Sequence, residues 1–360
     1  MAKPLPTPVL KPNSKNQAAA KDKTGIILGE NVIWNPAELP NGHVVLIGAS
    51  GSGKTQTLKS LAYELPKLFP DVRRVIIDFH GDQELPEEVC YPLNMESPHG
   101  INPLVVDLDT KGGGPNLQAI AVAATLKKSL TLGPNQEGLI IEIVNQCYAT
   151  TGIVQDDPRT WTKKPPTFAD IQREIENRVE DGCKESVKLQ LKLAATFQYG
   201  IFSRPQPSLD APLIRFDLSA LGKVPGLAAI AAESLVKQLM DNHRILGEVA
   251  DKTPRTYTFI DESKEVKQSR SVKLVTGDGR KYGLCIVQAS QRDAEISEEA
   301  IANSSTKIVL SVDQTEVSRV AKRFRFAENL VANLQPLEAL VRMGTEGHRC
   351  KIKPYYERVS

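Results

Sequence analysis

The sequence predicts an α/β fold: a sheet core split by a helical insertion and closed by a C-terminal β-hairpin. Three observations carry this. The apolar run Val44-Val45-Leu46-Ile47 leads through Gly48-Ala49-Ser50-Gly51-Ser52-Gly53-Lys54-Thr55 into Gln56-Thr57-Leu58-Lys59-Ser60-Leu61-Ala62, whose Leu58, Leu61 and Ala62 share a helical face. Further short apolar runs end in polar groups, as strands of an open α/β sheet do at the edge where ligands bind. Between them, residues 111–211 are dominated by helical spacing.

Bulk properties narrow the class. The 360 residues are 41% hydrophobic and 24% charged, ordinary for a globular protein, and no apolar run is long enough to span a bilayer. The net charge of +2 gives no global basic field, so a polyanionic ligand would need a local basic surface. Residues 1–24 lack the apolar stretch of a signal peptide. Cys90, Cys147, Cys183, Cys285 and Cys350 are widely spaced, with no C-x-x-C pair, which argues for reduced thiols, no zinc site and a cytoplasmic location.

Taken in order, residues 1–24 read as a disordered basic tail: Lys3, Lys11, Lys15, Lys21 and Lys23 against the single acid Asp22. The core then begins, with its first part over 25–110. Residues 25–34 alternate around Gly29-Glu30-Asn31, a hairpin that would lie over the ligand. Asn35-Pro36 and Pro40-Asn41-Gly42 break the pattern before the Val44 strand. Arg74-Val75-Ile76-Ile77-Asp78-Phe79-His80-Gly81-Asp82 reads as a second buried strand with an acidic end. Asp78 and His80 are placed either to line a site or, for Asp78, to cap the following turn.

Within the insertion, Ile120, Ala123, Ala124 and Leu126 mark one helix, and Leu139, Ile140, Ile143, Val144 and Cys147 another. Thr167-Phe168-Ala169-Asp170 caps a third that carries Ile171 and Ile175. Val187, Leu189, Leu191 and Leu193 alternate like a strand, but Lys188, Gln190, Lys192 and Ala194-Ala195 favour a helix. Pro205, Pro207 and Pro212 end the insertion. The core resumes over 212–360 with Leu213-Ile214-Arg215-Phe216-Asp217-Leu218. A helix follows through Leu227, Ile230, Ala231, Ser234, Leu235 and Leu239, then strands near 256–260, 284–289 and 307–312. Residues 339–343 and 349–354 form the closing hairpin around 344–347.

Strand, glycine-rich loop and helix together make G-x-x-x-x-G-K-[ST] a phosphate loop. Its glycines let backbone N–H groups curl around phosphates, and the helix N-terminus adds its positive end. Gly48, Ser50, Gly51, Ser52, Gly53, Lys54, Thr55 and Gln56 would bind the nucleotide, with Lys54 on the β- and γ-phosphates and Thr55 on Mg²⁺. Tyr257-Thr258-Phe259-Ile260-Asp261-Glu262 supplies the second half: Asp261 would hold Mg²⁺ opposite Thr55, and Glu262 would deprotonate the attacking water. Leu284-Cys285-Ile286-Val287-Gln288-Ala289-Ser290-Gln291 ends in an amide suited to sensing the γ-phosphate, with Gln288 inside the strand. Arg280, in Gly279-Arg280-Lys281-Tyr282-Gly283, lies at the other end of that strand. It is either a surface arginine or a finger serving a neighbouring copy's site.

These residues resemble the HerA/FtsK superfamily of ring-forming DNA-pumping ATPases, closest to HerA and the conjugation ATPases of type IV secretion. The narrow signal is the ordered set: residues 48–55, Ile76-Ile77-Asp78-Phe79-His80-Gly81-Asp82, Ile101-Asn102-Pro103-Leu104, Phe216-Asp217-Leu218-Ser219, Phe259-Ile260-Asp261-Glu262, Gly279-Arg280-Lys281-Tyr282-Gly283 and Ala289-Ser290-Gln291-Arg292. The resemblance implies a RecA-like core, ATP and Mg²⁺, a hexameric ring and duplex DNA in its pore. It implies Glu262 as general base, Gln291 as sensor and Arg280 as the trans finger. A nuclease or effector partner, in end resection or antiviral defence, is implied as well. Residues 1–24 are too short for HerA's usual N-terminal β-barrel, and no transmembrane helix is present, so the expectation is a motor domain nearly alone. Two basic sets are candidates for DNA phosphates or merely solvated faces: Lys264, Lys267, Arg270 and Lys273, and Arg319, Lys322, Arg323 and Arg325. The competing expectations are a conjugation-type ATPase moving a protein–DNA substrate and a nucleotide-gated scaffold that activates an effector.

Overall fold

The structure is a computed structural model that describes residues 24–251 and 253–359. The tail expected over 1–24 lies, apart from Thr24, outside the described residues. A hairpin of β1 (Ile26–Gly29) and β2 (Val32–Trp34) precedes β3 (Val44–Ile47), α1 (Lys54–Leu68), β4 (Arg73–Asp78) and β5 (Val89–Pro92). Between β5 and the next strand lie α2 (Pro115–Leu130), α3 (Pro134–Thr150), α4 (Phe168–Glu180) and α5 (Lys184–Tyr199). The core continues with β6 (Leu213–Asp217), α6 (Leu227–Ile245), β7 (Thr256–Ile260), α7 (Arg270–Asp278) and β8 (Leu284–Ser290). It ends with α8 (Glu298–Asn303), β9 (Thr306–Val309), α9 (Val317–Phe324), α10 (Glu328–Ala332), β10 (Glu338–Met343) and β11 (Glu346–Lys351).

Nine strands form one sheet in the order β11-β10-β9-β3-β8-β7-β4-β6-β5. Pairings from β9 to β5 are parallel, and β10 runs antiparallel to both β9 and β11. Both faces are covered, so the central strands read as continuous apolar runs rather than alternating ones. Alternate residues feed opposite layers. Leu46, Ile76 and Phe259 pack with Trp34, Leu58 and Leu61 on one side. Val75, Ile77 and Ile260 join α2 and α6 on the other, while Val45, Ile47 and Val309 meet α8, α9 and α10.

Local chemistry explains the helices α2 to α5. Pro115 and Pro134 sit at the first position of α2 and α3, where the missing N–H costs nothing. Thr167 and Asp170 form the capping box that starts α4. In α5 the helical reading is correct: Leu189 and Leu193, four apart, are buried, while Leu191 is 73% exposed. Short β5 and helices α8 to α10 gave too little periodicity to be foreseen from the sequence.

Two expectations change. The β1–β2 hairpin exists, but it does not lie over residues 48–55. Its Ile26, Leu28, Val32 and Trp34 are buried in the core beside α1. The Trp34 indole N–H donates to Thr306 Oγ1 (2.9 Å) at the amino end of β9, and Leu28 O accepts from the Lys353 N–H. The reason is hydrophobic: the hairpin's apolar face seals the layer around α1. The closing hairpin turns earlier than expected, at Gly344 (φ +58°), so β11 begins at Glu346.

Candidate functional site

The parallel strands β3, β8, β7 and β4 deliver their carboxyl ends side by side, and the groups expected at that edge, Lys54, Thr55, Asp261, Glu262 and Gln291, lie along it. Gly48 N–H donates to Ser290 O (3.2 Å) and Ala49 N–H to Ser311 O (2.8 Å), which fixes the loop after β3 between β8 and the segment after β9. Gly51 and Gly53 adopt φ of +76° and +106°, a region that disfavours side chains. At Gly48 a Cβ would stand 2.4 Å from Ser52 Oγ. Gly53 caps α1 without any side-chain hydrogen bond, leaving first-turn N–H groups for an anion. Lys54 Nζ donates to Gly48 O (2.8 Å) and Ala49 O (2.9 Å). Burial lowers its pKa, partly offset by Glu262, Glu295, Asp261 and Asp82. The lysine is thus a desolvated cation facing carboxylates across the edge. Ser52 is buried, Ser50 exposed, and Gln56 half-buried beside Thr55.

Asp261 and Glu262 leave β7 buried, at 7% and 3% exposure. Asp261 Oδ1 accepts the Phe79 N–H (3.2 Å). Burial, followed by the charge of Asp78, pushes its pKa up to about 7. Glu262 Oε2 pairs with His80 Nε2 at 3.0 Å. Its Oε1 is buried without a hydrogen bond among the described residues, with Lys264 Nζ 3.5 Å away. For His80 burial alone would lower the pKa, but the Glu262 hydrogen bond and the Asp261, Glu262 and Asp82 charges outweigh it, and the pKa is raised.

The two readings left open for the end of β4 divide between residues. Asp78 is a structural hub: it accepts the N–H groups of His80 (3.1 Å), Gly81 (2.7 Å) and Gln83 (3.0 Å) and meets Arg215 Nη1 at 3.1 Å. That turn swings Asp82 back to Thr55, whose hydroxyl donates to Asp82 Oδ2 (3.2 Å). Carboxylate oxygens of Asp78, Asp82 and Asp261 lie within 4.8 Å of one another. Asp78 is already saturated by its donors, so Thr55, Asp82 and Asp261 are the groups left to hold a hard cation. Hard cations favour such oxygen ligands. The residues fit Mg²⁺, which when bound would neutralise phosphate oxygens between β3 and β7.

Of the other neighbours at this edge, Asp82 was not assigned from the sequence, His80 was expected only as a residue that could line a site, and Glu295 was missed. The signal for the first two was the polar tail of the β4 segment. Glu295 had none: it reaches the edge by accepting from the buried Ser290 hydroxyl (2.5 Å). Gln291 is exposed and directly follows β8, beside the strand that carries the phosphate loop. Gln288 is buried within the strand, as expected.

Arg280 lies at the opposite, amino edge, where the sequence reading put it. It occupies the 3-10 turn Gly279–Tyr282 before β8, where its charge, after burial, helps depress the pKa of His43 at the amino edge. The seven residues of β8 separate it from Gln291, roughly 23 Å of strand. The second basic set is largely consumed: Arg319 and Arg323 clasp the buried Asp293 carboxylate at 2.7 and 3.0 Å, leaving Lys322 and Arg325 exposed. In the first set Lys264, Lys267 and Arg270 are exposed.

Comparison with solved structures places this arrangement. VirB4 of Thermoanaerobacter pseudethanolicus superposes with a TM-score of 0.80, at 19% identity, over 94% of this chain and 99% of that one. The chain has the fold of RecA-like P-loop ATPases. The plasmid coupling protein TrwB, solved with ADP and Mg²⁺, shares that P-loop fold at a TM-score of 0.60 and 16% identity, covering 86% of this chain and 85% of that one. In complex with the ATP analogue ADPNP it gives 0.63 and 16%, over 94% and 90%. No family profile and no curated protein matches the sequence. Among the described residues no helix is long and apolar enough to cross a membrane.

Proposed function

We propose that this protein is an ATP hydrolase that works as a homo-oligomeric ring, a hexamer, and couples turnover to movement along duplex DNA. The observation that carries hydrolysis is the buried Glu262, with one carboxylate oxygen held by His80 and the other without a hydrogen bond among the described residues, on the same sheet edge as Lys54. Phosphoryl transfer to water needs little more than such positioning and charge. Lys54 and the α1 N-terminus bind the β- and γ-phosphates of ATP, and Gln56 and the loop N–H groups complete the cradle. Thr55, Asp82 and Asp261 hold Mg²⁺. Glu262 takes the proton of the attacking water, and Gln291 contacts the γ-phosphate.

The ring reading rests on Arg280. At the opposite edge from Lys54 it is remote from its own site, and in a ring it completes the site of the next copy. DNA is the substrate favoured by the exposed Lys264, Lys267 and Arg270 after β7, which offer phosphate contacts without base readout. A nuclease or effector partner accompanies the motor in this reading. A second reading, a conjugation-type ATPase moving a protein–DNA substrate, is favoured by the fold shared with VirB4 and a plasmid coupling protein.

ATP hydrolysis by the purified protein with and without duplex DNA tests the proposal, with Lys54→Ala as the blank. Stimulation that fades with added salt is the expected result, because phosphate contacts release counterions. Turnover indifferent to DNA would remove the translocation reading.

A further inference from the structure

Glu262 is buried at 3% exposure and sits at the start of a 3-10 turn, where its backbone φ of −129° and ψ of 77° fix only the base of the side chain. In the proposed hydrolysis its carboxylate is the reacting group, so the orientation of its oxygens matters more than its mere presence. One oxygen is accounted for: Oε2 is 3.0 Å from His80 Nε2. The other, Oε1, is buried with no hydrogen-bond partner among the described residues, an arrangement that costs free energy unless a ligand or water completes it. His80 is itself fixed from behind. Its N–H donates to Asp78 Oδ1 (3.1 Å), and Asp78 is anchored by Arg215. His80 keeps 53% of its side chain exposed, so it contributes little to the core.

We propose that His80 is a positioning residue for hydrolysis: it grips Glu262 Oε2 and so turns Oε1 toward the attacking water as the proton acceptor. This deepens the proposed ATP hydrolysis and rests on it. The logic is that of a base oriented by a third group. A proton passes from water to Glu262 Oε1 while the oxygen attacks the γ-phosphorus and the bond to the bridging oxygen breaks. His80 exchanges no proton in this step. Lys264, 3.5 Å from Oε1 and half-exposed, swings aside as water takes its place.

The test is steady-state hydrolysis of MgATP by His80→Ala, His80→Gln, Glu262→Gln and the double variant His80→Ala/Glu262→Gln, with binding of a fluorescent ATP analogue measured on each. His80→Ala lowers kcat about 10- to 100-fold, the range for a partner that orients a functional ligand, with KM within about twofold. His80→Gln, whose amide N–H can donate to the same oxygen, restores most of the loss. The double variant is no slower than Glu262→Gln alone, because His80 acts only through that carboxylate. Turnover of His80→Ala within twofold of the parent, or above it, would overturn the proposal, as would a further loss in the double variant. Failure of the hydrolysis reading is distinct: the parent and Glu262→Gln would then be equally inactive while still binding the analogue.

Discussion

Arg215→Met separates the support of the site from its chemistry. Arg215 lies on β6, 4% exposed, with Nη1 3.1 Å from Asp78 and the guanidinium 2.8 Å from Glu88. Burial alone would lower its pKa, but Glu88 and Asp78 more than offset that, so it stays charged. Methionine keeps the apolar stem and leaves Asp78, at 0% exposure, without its cation. Removing one partner of a buried pair costs about 3–5 kcal/mol. Asp78 keeps the N–H groups of His80, Gly81 and Gln83, so the lower end applies, about 3 kcal/mol. With an unfolding entropy of ~2.1 cal/mol/K per residue over 360 residues, that is a fall in Tm of about 4 °C. The same turn places His80 and Asp82, so MgATP turnover falls at least about tenfold, since small misplacements in a site are costly. Calorimetry and hydrolysis rates read both effects. Asp78→Asn added to Arg215→Met recovers part of the lost stability. A Tm within about 1 °C of the parent would refute the reasoning.

The remaining predictions concern the amino edge of the sheet. His43 Nδ1 accepts the Ile286 N–H (3.1 Å), a bond that only an unprotonated Nδ1 can make, and the buried His243 ring is held between Leu239 O (2.6 Å) and Thr256 Oγ1 (2.9 Å). Burial, with Arg280 nearby, brings the His43 pKa down to about 4, and burial brings His243 to about 4. The unfolded chain therefore takes up protons first. Stability is complete above about pH 6.5 and is lost as pH falls toward 4, by about 2 kcal/mol per histidine at pH 5. His43→Asn, which keeps an acceptor for Ile286, reduces that acid sensitivity in urea unfolding at pH 7.5 and 5; an unchanged pH dependence would contradict it. Arg280→Ala and Lys54→Ala are each inactive alone, and mixing them restores measurable hydrolysis, because some interfaces then pair an intact loop with an intact arginine. No recovery in a mixture shown to co-assemble would place Arg280 outside the neighbour's site.

Much of the site was legible because its chemistry is local in the chain. The phosphate loop, the β7 strand with its two acids and the amide after β8 are short runs whose flanking residues state their own context. The parallel sheet then brings their carboxyl ends together. What stayed hidden depends on contacts between distant residues. Asp78 is 137 positions from the Arg215 that anchors it, and His80 is 182 from Glu262. Nothing in the 74–82 run distinguishes an aspartate that caps a turn from one that faces a ligand. The hairpin over 26–34 was visible as an alternating pattern, but its destination was set by where an apolar face was missing beside α1. Arg319 and Arg323 looked like free cations because their partner, Asp293, is buried at another point of the chain.

The central claim is that this edge of the sheet binds ATP and hydrolyses it through Glu262. Its most direct test compares MgATP turnover and fluorescent-nucleotide binding in the parent, Lys54→Ala and Glu262→Gln proteins. The account predicts that Lys54→Ala loses turnover and weakens binding, while Glu262→Gln binds like the parent and turns over at least about 100-fold more slowly, the scale of a lost general base. Glu262→Gln hydrolysing at the parental rate would contradict it.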